Sequence, residues 1–348
     1  MTERTSHTID WLRFPLIAAV VLLHSGENGV TGPDLYSTLC TVLSHGILKI
    51  AVPCFFLISG FLFFGGLEEW NTPRWKEKIR RRCRTLLIPY LLWNIIAFVV
   101  GYLYGLLRAS VNGWALTSVT DALAQVGWIN MFWGCTLGCP VNYPLWFLRD
   151  LIIFVALTPA IFWVVKKFRL PGLLFIFAAF WLTRSRDFEG LFYFMLGAWM
   201  RIESKDPLEI FSKWKWWSYV LTAVLLVAIA FTYREHQLAY GFIKYAFVAA
   251  GVCATFCLSA TLLDAGIARP TPWLARASFF VYCSHAVLIL HDISNFIVLH
   301  LLPDTVGMAC VGLFLRAVLA IGICLGIYWC MSKVAPRTLA ILTGGRKQ

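Results

Sequence analysis

Charge is scarce in this sequence. Only 14% of its 348 residues are Asp, Glu, Lys or Arg, where a soluble domain carries about 25%. Acidic residues are the scarcer kind, 18 against 30 basic ones. No polar stretch is long enough to form a separate soluble domain, so residues 1–348 read as one integral domain. The sequence also lacks a Walker motif, a dinucleotide-binding glycine fingerprint, a nucleophile elbow and an HExxH helix. The sequence signals of P-loop NTPases, nucleotide-dependent dehydrogenases, α/β-hydrolases and zinc proteases are thus missing. The start does not read as a cleaved signal peptide. Glu3 and Asp10 interrupt its basic region and no small-residue cleavage site precedes Gly26, so the first apolar span is expected to stay.

What the sequence does have is apolar length. Hydrophobic residues make up 59% of it, and mean hydropathy is +0.73. Apolar runs of about 20 residues recur throughout, which predicts an all-α, polytopic transmembrane helical bundle. About ten spans are expected: Ile9–Glu27, Leu39–Phe64, Thr85–Leu107, Leu145–Val165, Leu170–Thr183, Gly190–Arg201, Trp216–Tyr233, Tyr240–Leu263, Trp273–Leu301 and Val306–Val334. The fifth and sixth are short. Asp121–Trp133 is amphipathic and suits a helix lying along the outer interface.

The net charge of +12 does not point to nucleic acid, because topology accounts for it. Basic residues gather in alternate loops: from Arg74 to Arg84, at Lys166, Lys167 and Arg169, from Arg201 to Lys215, at Arg269 and Arg276, and after Lys333. The opposite loops hold only Arg108, Arg184, Arg186 and Arg234. This asymmetry places both termini in the cytoplasm of a multi-pass protein, with the lipid bilayer as its first partner. Most of the 11 cysteines lie inside spans as small apolar fillers. Cys135 and Cys139 instead lie in a polar loop. They suit a disulfide on an oxidising side and lack the companions of a zinc site, so no metal is expected.

A few polar residues do not belong in lipid. Arg13 and His24 are eleven apart, almost three helical turns, so they share one face about 16 Å apart. Asp10, three residues before Arg13, can pair with it. Such a stripe should face the bundle interior or a water-filled cavity. An interfacial ion pair and a headgroup-level histidine are the plainer alternative. Arg80, Arg81, Arg82 and Arg84 crowd the start of the third span; topology alone can account for them, and a phosphorylated cytosolic ligand is the alternative, because guanidinium forks suit phosphate groups.

Lys49 lies about a third of the way into the second span and needs a partner, a cavity or a snorkelling path, while Pro53 and Gly60 read as ordinary kinks. Arg149 and Asp150 are adjacent, so a helix should turn them to different faces and each should need another partner or water. Trp146 and Tyr143 suit the outer aromatic belt. Ser284, His285 and His291 fall in the ninth span, with His285 deep in apolar surroundings, either structural or chemical. These residues alone fit an enzyme, a secondary transporter with charges at mid-depth, or a scaffold.

The ordered set of motifs resembles the bacterial acyltransferase-3 family of integral-membrane acyltransferases. "IDWLRFPLIAAVVLLH" is similar to that family's first-helix motif of Arg, ten residues, then His, matched by Arg13 and His24. "RRCR" resembles its Arg-x-x-Arg motif, matched by Arg81 and Arg84. "AVPCFFLISGFLF", "PLWFLRDL", "FYFMLGAW" and "SFFVYCSHAVL" are similar to further recurrent segments. Many relatives carry an additional soluble hydrolase-like domain, and this chain ends soon after its last span. The resemblance implies O-acyl transfer from cytosolic acyl-CoA, commonly acetyl-CoA, to a hydroxyl of a surface glycan, a lipid-linked sugar or an exported metabolite, in a bacterial inner membrane. It implies His24 as catalytic base or acyl carrier, with Arg13 and Asp10 beside it. Arg81 and Arg84, with Lys49, would hold the co-substrate. Trp146, Arg149, Ser284 and His285 are further candidates.

Overall fold

The structure is a computed structural model describing residues 1–26, 35–113, 115, 117, 127–134, 138–183, 185–303 and 305–345; of residues 234, 235 and 237 it describes the backbone. The described residues are helical and contain no strand. Among the described residues, seven helical stretches are long and apolar enough to cross a bilayer, or eight with one bent pair, so the protein is an all-α polytopic bundle.

The first helix, α1 (Glu3–Ser25), begins six residues earlier than the hydropathy suggests. Thr2 caps it by accepting from the Thr5 amide, so its polar first turn is held outside the apolar run. The second span is composite: α2 (Leu35–Ser44), a 3-10 turn (Ile47–Ile50) and α3 (Ala51–Phe63). Pro53 sits in the first turn of α3, where its missing N–H costs nothing, so it is not the mid-helix kink read from the sequence. Gly60 is no kink either. A Cβ there would strike the Phe194 backbone, and one at Gly197 would strike the backbone of Leu57. These two glycines let α3 and α9 (Arg186–Ile202) approach backbone to backbone, the usual device for helix pairs in lipid.

Helix α4 (Thr72–Arg82) runs through a π-turn (Cys83–Leu87) into α5 (Ile88–Asn112). Residues 127–133 form α6, with Trp128 and Ile129 exposed as an interfacial helix would have them. The rest of that amphipathic segment, 121–126, lies outside the described residues, as does Cys135, the partner proposed for Cys139. A 3-10 turn (Tyr143–Leu145) leads into α7 (Trp146–Ala156), which bends by 66° into α8 (Thr158–Thr183). Arg169, at φ +43°, breaks α8 just before Pro171, and this break separates the expected fourth and fifth spans. At 1.5 Å per residue, the piece after the break and the 17-residue α9 are shorter than a 30 Å crossing, so ten full-length spans are not reached.

Then follow α10 (Pro207–Ser212), α11 (Lys215–Glu235), α12 (Gln237–Asp264) and α13 (Pro272–Ser284). A π-turn segment (His285–Ser294), α14 (Asn295–Leu301), α15 (Val306–Val334) and α16 (Pro336–Leu342) complete the chain. Helices α3, α9 and α13 form the buried centre with α1, whereas α11 shows Trp216, Trp217, Val224 and Phe231 outward, as lipid allows.

The first residues and the short α16 lie at one end of the bundle. Asp206, which caps α10, accepts from the Thr2 amide at 3.2 Å and from the Thr5 hydroxyl at 2.5 Å. Burial raises the Asp206 pKa, but these bonds and the Leu208 amide outweigh it and hold the carboxyl below its usual range. Trp93, near the start of α5, donates to the carbonyl of Leu342 in α16 at 3.1 Å.

Candidate active site

The α1 stripe forms as its spacing requires. Arg13 pairs with Asp10 at 3.0 Å, both half-exposed. Eleven residues further on, the His24 ring lies between two others. Its centroid is 4.9 Å from Tyr143, edge to face, and 5.7 Å from His285, nearly parallel. The Tyr143 hydroxyl and His291 Nε2 share a hydrogen bond of 2.9 Å. Three histidines and a tyrosine from three separate segments therefore meet at the end of α1.

Local structure explains why they meet. His285 is fully buried, and its Nδ1–H donates to the carbonyls of Tyr282 at 2.8 Å and Val281 at 3.1 Å. Those bonds fix the tautomer, so Nε2 is left as a bare acceptor, buried and with no partner among the described residues. The helix then breaks: Val287 has ψ +87° and Leu288 lies at φ +59°, in the left-handed region that costs a branched residue about 1–2 kcal/mol. Broken helix at membrane depth is tolerated where it lines a cavity, and here the break brings His291 to Tyr143.

Tyr143 is held just as firmly. The Asn94 side chain donates to its own helix at the Tyr90 carbonyl and accepts from the Asn142 amide at 3.1 Å. Asn142 in turn donates to the Cys283 carbonyl at 2.9 Å, and the Tyr282 hydroxyl donates to Pro144 at 2.6 Å. The turn bearing Tyr143 is thus fastened to α5 and α13 together. Neither asparagine was singled out in the sequence, although Asn94 is a polar residue inside the apolar run "YLLWNIIAF".

The remaining candidates divide. Arg149 has two partners. Its guanidinium curls back onto Asp150 at 2.8 Å and also donates to the Trp133 carbonyl at 2.7 Å. Helix faces keep neighbours apart at Cβ, but an arginine is long enough to reach back, so Arg149 takes the further partner expected of it in the Trp133 carbonyl and also pairs with Asp150, which the helix-face argument does not foresee. Trp146 lies under the Arg186 guanidinium, 4.3 Å from its ring centroid. Ser284 is buried, donates to the Phe280 carbonyl at 2.8 Å and touches Cys324 Sγ at 3.3 Å, which makes it part of the helix rather than a free hydroxyl. Lys49 sits half-buried on the 3-10 turn, with no carboxylate within ion-pair distance among the described residues. Its charge reaches His24, and those of Glu189, Lys244 and Arg186 reach it. It belongs to the His24 end and is not brought to Arg81 and Arg84.

At the other end, Arg81 and Arg84 are exposed, while Arg82 turns inward, half-buried. The Arg82 guanidinium lies close enough to Arg13 and Arg81 for mutual repulsion. Three arginines with Asp10 as the paired carboxylate leave a surplus of positive charge at the foot of the α1 stripe. Nearby, Glu68 accepts from Arg201 at 3.1 Å and from the Gly66 amide; burial raises its pKa, and these contacts lower it below the ordinary range.

A cationic collar joined by one helix to a cluster of imidazoles, of which His285 is fully buried, suits group transfer better than ion passage. Comparison with known proteins decides the class, because the acyltransferase-domain family matches residues 6–332. The chain belongs to the acyltransferase-3 family. This acyltransferase is also 25% identical over 365 residues to the succinoglycan biosynthesis protein ExoH of Rhizobium meliloti (strain 1021), covering 99% of the chain and 94% of that relative. No solved structure matches it. The acyltransferase is thus a multi-pass membrane protein whose Arg13, Arg82, His24 and His285 lie along or beside one helix.

Proposed function

We propose that this acyltransferase moves an acyl group from cytosolic acyl-CoA, commonly acetyl-CoA, to a hydroxyl of a glycan or lipid-linked sugar on the opposite side of a bacterial inner membrane. One observation carries the reading: the α1 face that holds Arg13 against the arginine collar ends at His24, packed against Tyr143 and His285. The name of the ExoH relative, a succinoglycan biosynthesis protein, supports a glycan acceptor.

In this scheme Arg81, Arg82 and Arg84 hold the CoA phosphates by charge-assisted hydrogen bonds. The thioester arm runs along α1 toward His24. The acceptor oxygen attacks the thioester carbonyl, forming a C–O bond as the C–S bond breaks. A neutral His24 takes the hydroxyl proton and returns it to the departing thiolate, a transfer an imidazole performs well near neutral pH. A two-step route through acyl-His24 balances equally: imidazole displaces the thiol, and the acceptor hydroxyl then displaces imidazole. His285, with its tautomer fixed, offers a lone pair to the same space.

Purified protein incubated with labelled acetyl-CoA and a glycan acceptor tests the activity, and sealed, oriented vesicles test sidedness. Product should form only with acyl-CoA on the arginine side and acceptor on the other. Product formed with both confined to the arginine side rejects transfer across the bilayer. Failure of acetyl-CoA to bind or be consumed rejects it as the donor.

A further inference from the structure

The helix break after His285 opens a groove of about 500 Å3 at the end of the bundle opposite the arginine collar. One wall is the far end of α5, with Tyr104 and Arg108. The other is the chain from Leu288 to Leu299. Tyr104 lies 20 residues beyond Arg84, which is about 30 Å of helix, a whole hydrocarbon core away. The groove is continuous with the candidate site, because His291 both lines it and bonds to Tyr143, which packs on His24.

Its lining is two-natured. Its polar lining is His291, Asp292, Asn295 and Arg108, a mixture of donors and acceptors; Arg108 lies over the Tyr104 ring, 5.8 Å from its centroid, the Tyr104 hydroxyl faces the Asp292 carboxylate, and the Asn295 carbonyl accepts from Arg316 at 3.1 Å. Toward the outside it presents Ile293, Phe296 and Leu299, at 45%, 61% and 68% exposure. In a membrane protein such exposed apolar residues face lipid tails. Arrays of mixed donors and acceptors beside an aromatic face suit sugar hydroxyls and ring C–H edges. A phospholipid phosphate would gain Arg108 but also face the Asp292 carboxylate, whereas sugar hydroxyls can accept from the guanidinium and donate to the carboxylate. A free polysaccharide would leave the apolar wall unused.

We propose that this groove seats the sugar of a lipid-linked acceptor, with its hydrocarbon tail leaving sideways into the bilayer past Ile293, Phe296 and Leu299. The proposal rests on His24 as the reacting centre, because it brings the sugar toward that ring through His291.

The test uses the full chain in nanodiscs and a dodecyl β-maltoside bearing a photoreactive diazirine on its sugar. After irradiation, peptide mass spectrometry should find label concentrated in residues 100–112 and 288–299. Unlabelled dodecyl maltoside should compete about tenfold better than dodecylphosphocholine or free maltose, a difference of about 1.4 kcal/mol. Asp292→Asn should lower the labelling several-fold. Phe296→Leu, at a surface position that folding tolerates, should lower it less. His24→Ala should leave labelling intact, so failure of the chemistry at His24 and failure of the groove give different results. Label spread alike over all lipid-facing helices, or equal competition by dodecylphosphocholine, would make the groove an ordinary lipid crevice. Equal competition by free maltose would remove the lipid tail from the proposal.

Discussion

The two ends of the α1 stripe hold their polar groups by opposite means. At the His24 end the rings that surround His24 are fastened by neighbours. His285 is fixed by two carbonyls, Tyr143 by His291, and the turn beneath Tyr143 by Asn94 and Asn142. At the Arg82 end only Asp10 pairs with Arg13, and Arg81 and Arg84 reach out on exposed helix. Buried polar groups must be satisfied in place, because each one left unpaired costs about 1–3 kcal/mol. Exposed guanidiniums lose little while they wait for a ligand, since water solvates them. The comparison separates a pre-organised end, where geometry matters to tenths of an ångström, from an adjustable end, where charge matters more than position.

The largest break in that comparison should come from His24. His24→Ala should lower acyl transfer by about 10²–10⁴-fold while acyl-CoA binding stays close to the parent value. Single-turnover transfer and a separate binding titration read the two quantities. Near-parent transfer would remove His24 from the chemistry.

The pre-organised end should also be sensitive to unpaired charge. Arg149→Ala leaves Asp150 buried with one oxygen already unpartnered, so the protein should lose about 3–5 kcal/mol of stability. Removing both charges in Arg149→Ala/Asp150→Ala should recover much of it. Thermal unfolding in detergent measures both, and a double variant no better than the single one would show that the loss comes from the bonds of Arg149 itself, not from the unpaired Asp150 carboxylate.

The adjustable end should yield smaller, graded effects. Arg82→Ala should weaken acyl-CoA binding about tenfold, and Arg81→Ala or Arg84→Ala by less each, since only Arg82 points inward. All three losses should shrink at high salt, where screening already weakens phosphate contacts. Affinities that do not change in any of the three would leave the cluster as a topology signal.

The smallest effect concerns acid. Asp206 has its folded-state pKa held below the unfolded value, so its tether on Thr2 and Thr5 contributes fully above about pH 4 and is lost as pH falls further. Asp206→Asn should reduce stability near neutral pH by about 2 kcal/mol or less and flatten the acid limb of the unfolding profile. An unchanged acid limb in that variant would assign the pH dependence to other carboxylates.

Apolar run length alone marked the bundle, and the eleven-residue spacing alone put Arg13 and His24 on one helix face, because helical pitch is fixed by the backbone. The family resemblance lay in short ordered motifs and needed no coordinates. Which residue meets His24 was not legible in this way. Tyr143 and His285 stand more than a hundred positions away along the chain, and only packing of the 143–145 turn on α13 brings them together. Likewise, nothing in "RRRCR" distinguishes the inward Arg82 from its exposed neighbours, since which side chain approaches Arg13 depends on how α4 packs beside α1. The sequence by itself determined what a single helix can decide, namely span, face and charge. Tertiary structure alone decided the meeting of helices, the pairing of Arg149 with Asp150 and the break at Leu288, because those depend on contacts between residues far apart in the chain and on which buried groups find a partner.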